Sequence, residues 1–200
     1  MLNAHRDRLR LQSFMSSSPQ AFQLAYRSIK IFCIHHGIFA ARFGYFGGMH
    51  LSILLCRLAE NLTGTASAIV LVRDFFKVYS EFNWEEETVS IRVGDTTYRR
   101  SLREPLVILS PERPVRNVAA NASVSTRQAI STELRMAHER LSEGEPWSRV
   151  CGDAREYFYA FMRNYDEFVK VDLGYWGDSC MFARSLIGFV ESRLVRVSVF

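Results

Sequence analysis

The stretch Phe43-Gly44-Tyr45-Phe46-Gly47-Gly48 is a turn punctuated by three glycines between two segments of helical periodicity. On its N-terminal side, Phe22, Ala25, Tyr26, Ile29, Phe32 and Cys33 recur at the spacing of one helix face. Ser18 suits the N-cap of that helix, Pro19 its first position and Gly37 its C-terminal cap. On the other side, residues from about Met49 to Leu62 are apolar nearly all round, which predicts a helix at the centre of a bundle. A third helix is predicted from about Ser67 to Ser80. A fourth starts near Ser125, with Ser125-Thr126-Arg127-Gln128 as its capping box, and runs to about Leu141. Between the third and fourth, Thr88 to Val93 alternates like a strand before a Gly94-Asp95 turn, and Leu106 to Leu109 is a short apolar strand candidate. Pro111 to Asn121 reads as an extended loop.

Residues 1–18 read as a basic, then serine-rich leader, and residues 142–153 as a linker rich in turn formers (Ser142, Gly144, Pro146, Gly152). Beyond the linker, Tyr157 to Met162 is predicted as a short helix, Phe168 to Leu173 as a strand, Met181 to Leu194 as a helix and Val195 to Phe200 as a strand. A sheet that stops inside its second strand cannot close. The expectation is therefore a fragment, or a chain that needs a partner. The fold class expected is mainly α, a helical bundle with a few short strands over residues 19–145. An incomplete α+β unit of the RRM or ferredoxin-like kind follows over residues 146–200.

The 200 residues are 48% hydrophobic and 23% charged, a globular composition. The formal net charge is +4, and apart from Lys30, Lys77 and Lys170 every lysine or arginine cation is arginine. Arginine matches phosphate with a planar fork, so a polyanion partner is permitted, although genome composition explains the bias equally well. The uncharged run Phe43 to Cys56 is too short and glycine-rich to span a bilayer. Cys33, Cys56, Cys151 and Cys180 lack metal-ligand spacing and read as reduced, mostly buried thiols.

A glycine pair at a helix start exposes bare backbone to a ligand, and the free N–H groups there favour negative charge. Lys30 lies on the preceding helix. Spacing alone is served as well by a plainer role, in which Gly47 and Gly48 let two helices pack closely and Lys30 is a solvated charge.

Three ordered blocks carry a resemblance. They are Arg27-Ser28-Ile29-Lys30 with Gly44 to Gly48; Ala66-Ser67 through Phe75 to Ser80 and on to Trp84; and Asn121-Ala122-Ser123-Val124-Ser125-Thr126-Arg127. In this order they resemble the central domain of eukaryotic poly(A) polymerases. Tyr165 to Leu173 with Phe189 to Leu194 is similar to the opening of that family's RNA-binding domain.

The resemblance implies a nuclear protein of mRNA polyadenylation, with RNA and ATP as partners and Mg²⁺ as the metal of the full enzyme. It implies nucleotide-facing roles for Lys30, against the triphosphate, and for Phe39, Gly47, Gly48 and Met49, bordering the base. Arg113, Arg116 and Arg127, flanking a loop and a helix start, are candidates for the RNA backbone, with surface salt bridges as the alternative.

Two positions depart from the family pattern: Ile34 stands where a second lysine is usual, and Phe39 where a tyrosine is. A charge-assisted hydrogen bond is worth roughly 1.5–3 kcal/mol and a neutral one about 1, so losing both weakens triphosphate binding by roughly two to three orders of magnitude. The palm carboxylates that hold two Mg²⁺ ions as Asp-x-Asp after a Gly-Ser turn have no counterpart in this sequence. A separate palm domain or other RNA-processing subunits are therefore implied as partners. Glu85-Glu86-Glu87 reads as a solvated run and Asp166-Glu167 as a turn. His35-His36 is read as a helix-end pair. Tyr157, Phe158 and Tyr159 are read as core, with base stacking as the alternative.

Overall fold

The computed structural model describes residues 19–60, 67–91, 98–163, 170–177 and 179–197. Among them are seven α-helices: α1 (Pro19–His35), α2 (Gly48–Glu60), α3 (Ala68–Ser80), α4 (Val124–Ser142), α5 (Trp147–Cys151), α6 (Ala154–Arg163) and α7 (Cys180–Val197). The mainly α expectation holds. The leader, residues 1–18, lies outside the described residues.

The expected α1 face, Phe22, Ala25, Ile29, Phe32 and Cys33, is buried. Gly37 then adopts φ +70°. Its N–H donates to the Ile34 carbonyl, and the Ile38 N–H donates to that of Cys33. This is a Schellman closure, which only a left-handed residue makes cheaply. α2 buries seven of its residues and is the centre of the bundle. α3 starts on the Ser67 hydroxyl, which accepts from the Val70 N–H. It packs on α1, α2 and α4. Phe76 meets Phe32 edge-on at 4.8 Å. The buried Tyr79 hydroxyl donates to the Leu54 carbonyl at 2.7 Å, tying α3 to α2. Each fully buried Phe or Leu of this core contributes about 1.5–3 kcal/mol.

The N-cap of α4 is Ser123, not Ser125. Its hydroxyl accepts from the Thr126 N–H, and the Thr126 hydroxyl accepts from the Ser123 N–H. Ser125 fits the Ser-x-x-Gln pattern, but the working pair is Ser123 with Thr126, a threonine hydroxyl standing where Glu or Gln is usual; the helix it caps buries Thr126, Ile130, Leu134 and Ala137.

Among the described residues, the strands expected between α3 and α4 are reduced to isolated bridges, Val89 to Ile108 and Leu109 to Asn117; residues 92–97, with the expected Gly94-Asp95 turn, lie outside the described residues. Leu106 to Leu109 is fully buried nonetheless. Its backbone is served by the Asn117 side chain, which accepts from the Ile108 N–H and donates to the Leu106 carbonyl. Together with main-chain bonds from Val89 to Val107, Leu109 to Val89 and Val118 to Ile108, the side-chain amide leaves the buried polar groups paired without an extended sheet.

The expected linker contains α5, whose Val150 and Cys151 are buried in the same core. His36 pins this region. It contacts the Glu133 carboxylate at 2.6 Å and the Val150 carbonyl at 3.1 Å. Its ring lies between Phe32 and Tyr157, with centroids 3.7 and 3.6 Å away. Tyr157 is half-buried as expected, but Phe158 and Tyr159 are exposed and are not core residues. Of the strand expected over 168–173, residues 170–173 have no regular structure and the rest lies outside the described residues. Of the strand expected over Val195 to Phe200, residues 195–197 are the end of α7 and the rest lies outside the described residues. Among the described residues no helix is long and apolar enough to cross a membrane.

Candidate nucleotide-facing site

A short 3-10 turn, Ala41–Phe43, ends at Gly44, where φ is +87°. A side chain there would meet the Asn121 carbonyl oxygen at 2.6 Å and the Thr126 hydroxyl at 3.1 Å. The turn therefore sits directly on the entrance to α4. The Asn121 amide secures it by donating to the Ala41 carbonyl at 3.3 Å. A parallel bridge between Phe39 and Phe46 closes the loop.

Gly47 and Gly48 open α2, and they face different surroundings. The Gly47 N–H donates to His50 Nδ1 at 3.0 Å, and His50 Nε2 donates to the Val118 carbonyl at 2.8 Å. One ring nitrogen accepts and the other donates, so the neutral Nε2–H form fits. Burial pushes the His50 pKa below its usual value, against the opposing pull of the carbonyls of Val118 and Tyr45. A Cβ on Gly47 would stand 2.8 Å from the Ala41 Cβ, so this glycine is buried against its own chain. Gly48 is half-buried, and a Cβ on it would meet only the Tyr26 hydroxyl, at 3.1 Å. No acidic residue occupies the first turn of α2 to offset its positive end.

Lys30 and Phe39 are brought together: the Lys30 Nζ lies 5.3 Å from the centroid of the Phe39 ring, within cation–π range. Both are half-buried, as is Met49. Tyr26, Phe39 and Met49 pack at the edge of the core. Burial raises the Tyr26 pKa, partly offset by a hydrogen bond with Ser52. Ile34, one turn beyond Lys30, is 49% exposed. α7 reaches this region through an ion pair between Arg42 and Glu191.

The three arginine candidates fall in two settings. Arg113 and Arg116 are exposed on the loop before α4, which contains a cis Arg113–Pro114 peptide. Arg127 is mostly covered, its side chain 13% exposed and paired with Glu85 at 2.5 Å. The glutamate run is committed to local contacts. Glu86 and Glu87 accept from the Asn83 amide and backbone N–H, while Glu85 holds Arg127. Among the described residues no three His, Cys, Asp or Glu side chains gather where they could hold a metal ion. The donor set in the described residues thus does not fit Mg²⁺. Asp166 and Glu167 lie outside the described residues.

Sequence reasoning gave no role in the site to Tyr26, His50, Asn121 and Thr126, which line or brace the turn. Tyr26 was placed on the α1 face and Asn121 and Thr126 in the third block, but no spacing ties them to the turn; His50 carried a signal as an imidazole in a mostly apolar helix.

Residues 21–149 match the sequence model of the family described as poly(A) polymerase central domain. The chain belongs to that family. It is 24% identical over 190 residues, covering 90% of this chain and 26% of the relative, to nuclear poly(A) polymerase 1 of Arabidopsis thaliana. It is 25% identical over 192 residues, covering 89% and 25%, to nuclear poly(A) polymerase 4 of the same organism. The chain thus spans about a quarter of the length of these poly(A) polymerases. In this chain's central domain, the glycine turn, the start of α2 and the entrance to α4 form one interlocked corner.

Proposed function

We propose that this chain supplies one wall of a nucleotide and RNA 3′-end site for template-independent AMP transfer from ATP in nuclear mRNA polyadenylation. The carrying observation is the Lys30 ammonium held over the Phe39 ring beside the Gly48 end of α2. In this reading Lys30 meets the triphosphate, and Phe39, Gly48 and Met49 border the base. Gly47 shapes the bend from inside through His50. Arg113 and Arg116 follow the RNA backbone. Residues 19–145 are the central domain, and residues 146–200 begin an RNA-binding unit. When Mg²⁺ is bound it supplies charge neutralisation at the phosphates. The carboxylates for it belong to a palm domain, and this chain's part is to bind and orient the nucleotide.

A second reading is favoured by Ile34 and Phe39: an RNA-binding module that has lost most of its grip on ATP. Titrating ATP and a short oligo(A) RNA into the chain, wild type and Lys30→Ala, separates the two. The nucleotide-wall reading requires ATP binding that drops about tenfold or more with Lys30→Ala. Salt-sensitive RNA binding with no ATP response leaves only the module.

A further inference from the structure

A cavity of about 390 Å³ lies between the loop around Arg100 to Pro105 and the first turn of α4. Arg100, Arg103 and Arg127 line it, with Glu85, Glu104 and Val124. Three guanidinium groups against two carboxylates leave one positive charge over.

One half of the wall is rigid. The Arg100 guanidinium donates to the carbonyls of Trp84, Glu87 and Glu104. The Glu104 carboxylate accepts from the Tyr98 hydroxyl, the Ser101 N–H and the Asn117 amide. Burial works to raise the Glu104 pKa, but these donors and the Arg100 charge hold it below the usual carboxylate value. The other half is adjustable. Arg127 is mostly covered, whereas its partner Glu85 is 65% exposed. Arg127 Nε is buried with no hydrogen-bond partner among the described residues, and Arg103 is exposed at the rim. A buried donor left unused is costly. Glu85 engages the guanidinium through Nη1 and leaves Nε unused. A tetrahedral phosphate group offers oxygens enough for both Nη1 and Nε of the same fork.

We propose that this cavity is a phosphate-group site in which a phosphodiester of bound RNA displaces the Glu85 carboxylate. RNA is chosen because the α4 turn carrying Arg127 also holds Thr126 against Gly44 of the nucleotide-facing bend. In that choice alone the proposal rests on the function proposed above.

The test uses the 200-residue chain and the arginine Nε–H resonances. Sodium phosphate is added in one arm and a short oligo(A) RNA in the other, and RNA affinity is then measured for Glu85→Gln and Arg103→Ala. Both ligands move the Arg127 Nε–H signal. Glu85→Gln tightens RNA binding about threefold to tenfold, and Arg103→Ala weakens it by a similar factor and lowers the salt slope by about one. An Arg127 signal unmoved by either ligand, or affinity unchanged in both variants, overturns the site. A response to phosphate without one to oligo(A) overturns its assignment to RNA. The Arg127 Nε–H response to sodium phosphate is read without any nucleotide, so failure here is separable from failure of the nucleotide wall, which ATP titration reads.

Discussion

Gly44 and Gly37 both have positive φ, but they answer to different constraints. Around Gly37 a Cβ would meet nothing within 4 Å, whereas at Gly44 it would strike a backbone carbonyl at 2.6 Å. Gly37→Ala therefore pays for the left-handed conformation alone, about 1–2 kcal/mol. Gly44→Ala adds the displacement of the α4 entrance and should cost about 2–4 kcal/mol. Urea midpoints of the two variants check this; equal losses would show that the contact with Asn121 does not constrain the turn.

Ile34 belongs to the same scale. It is half exposed beside Lys30 on α1, so a lysine fits without disturbing the core. Under the nucleotide-wall reading Ile34→Lys raises ATP affinity about tenfold, the worth of one charge-assisted contact. Calorimetric titration reads this directly, and an unchanged affinity would mean that the α1 face does not reach a triphosphate.

Among the elements, α2 shows how a buried polar ring becomes a brace. His50 links the bend through Gly47 to the loop before α4 through Val118. Its depressed pKa gives the pH dependence a definite sign. The unfolded chain takes up the proton below about pH 6.5 while the folded chain resists it. The contribution is whole above that pH and falls as acid is added, by up to about 1.4 kcal/mol per pH unit. His50→Gln should lower stability at pH 7.5 and flatten the decline between pH 6.5 and 5. A decline as steep as the wild type's would assign it to other groups.

The same elements show what the sequence disclosed. Apolar periodicity located α1, α2 and α3 to within a residue or two where their ends are described, because each has one face that must be buried. The cap of α4 was misplaced by two residues, since Ser125 with Gln128 fits the usual capping box while the box that forms is Ser123 with Thr126, a threonine where Glu or Gln is expected. The strand expected at Leu106 to Leu109 failed for a related reason. Its backbone pairs with single residues, Val89 and Val118, and with the Asn117 side chain, whose role no alternation pattern encodes.

For the whole molecule, the bundle was readable and the assembly of the site only partly so. Lys30 and Phe39 sit nine residues apart across a helix cap, near enough for their contact to follow from the turn. The pairing of Gly44 with Asn121 and Thr126 spans nearly eighty residues and depends on how α4 docks. Beyond α6 the residues Trp176, Met181, Phe182 and Phe189 are exposed. There the burial that disciplines sequence reading is missing, and strand and helix patterns were confused.

The central claim is that the corner built by α1, the glycine bend and the start of α2 faces a nucleotide. Amide chemical shifts of the labelled chain under ATP titration test it most directly. The account predicts perturbations concentrated at Lys30, Phe39, Gly48 and Met49 that vanish in Lys30→Ala. Shifts confined to other helices, or the same shifts surviving that substitution, would contradict it.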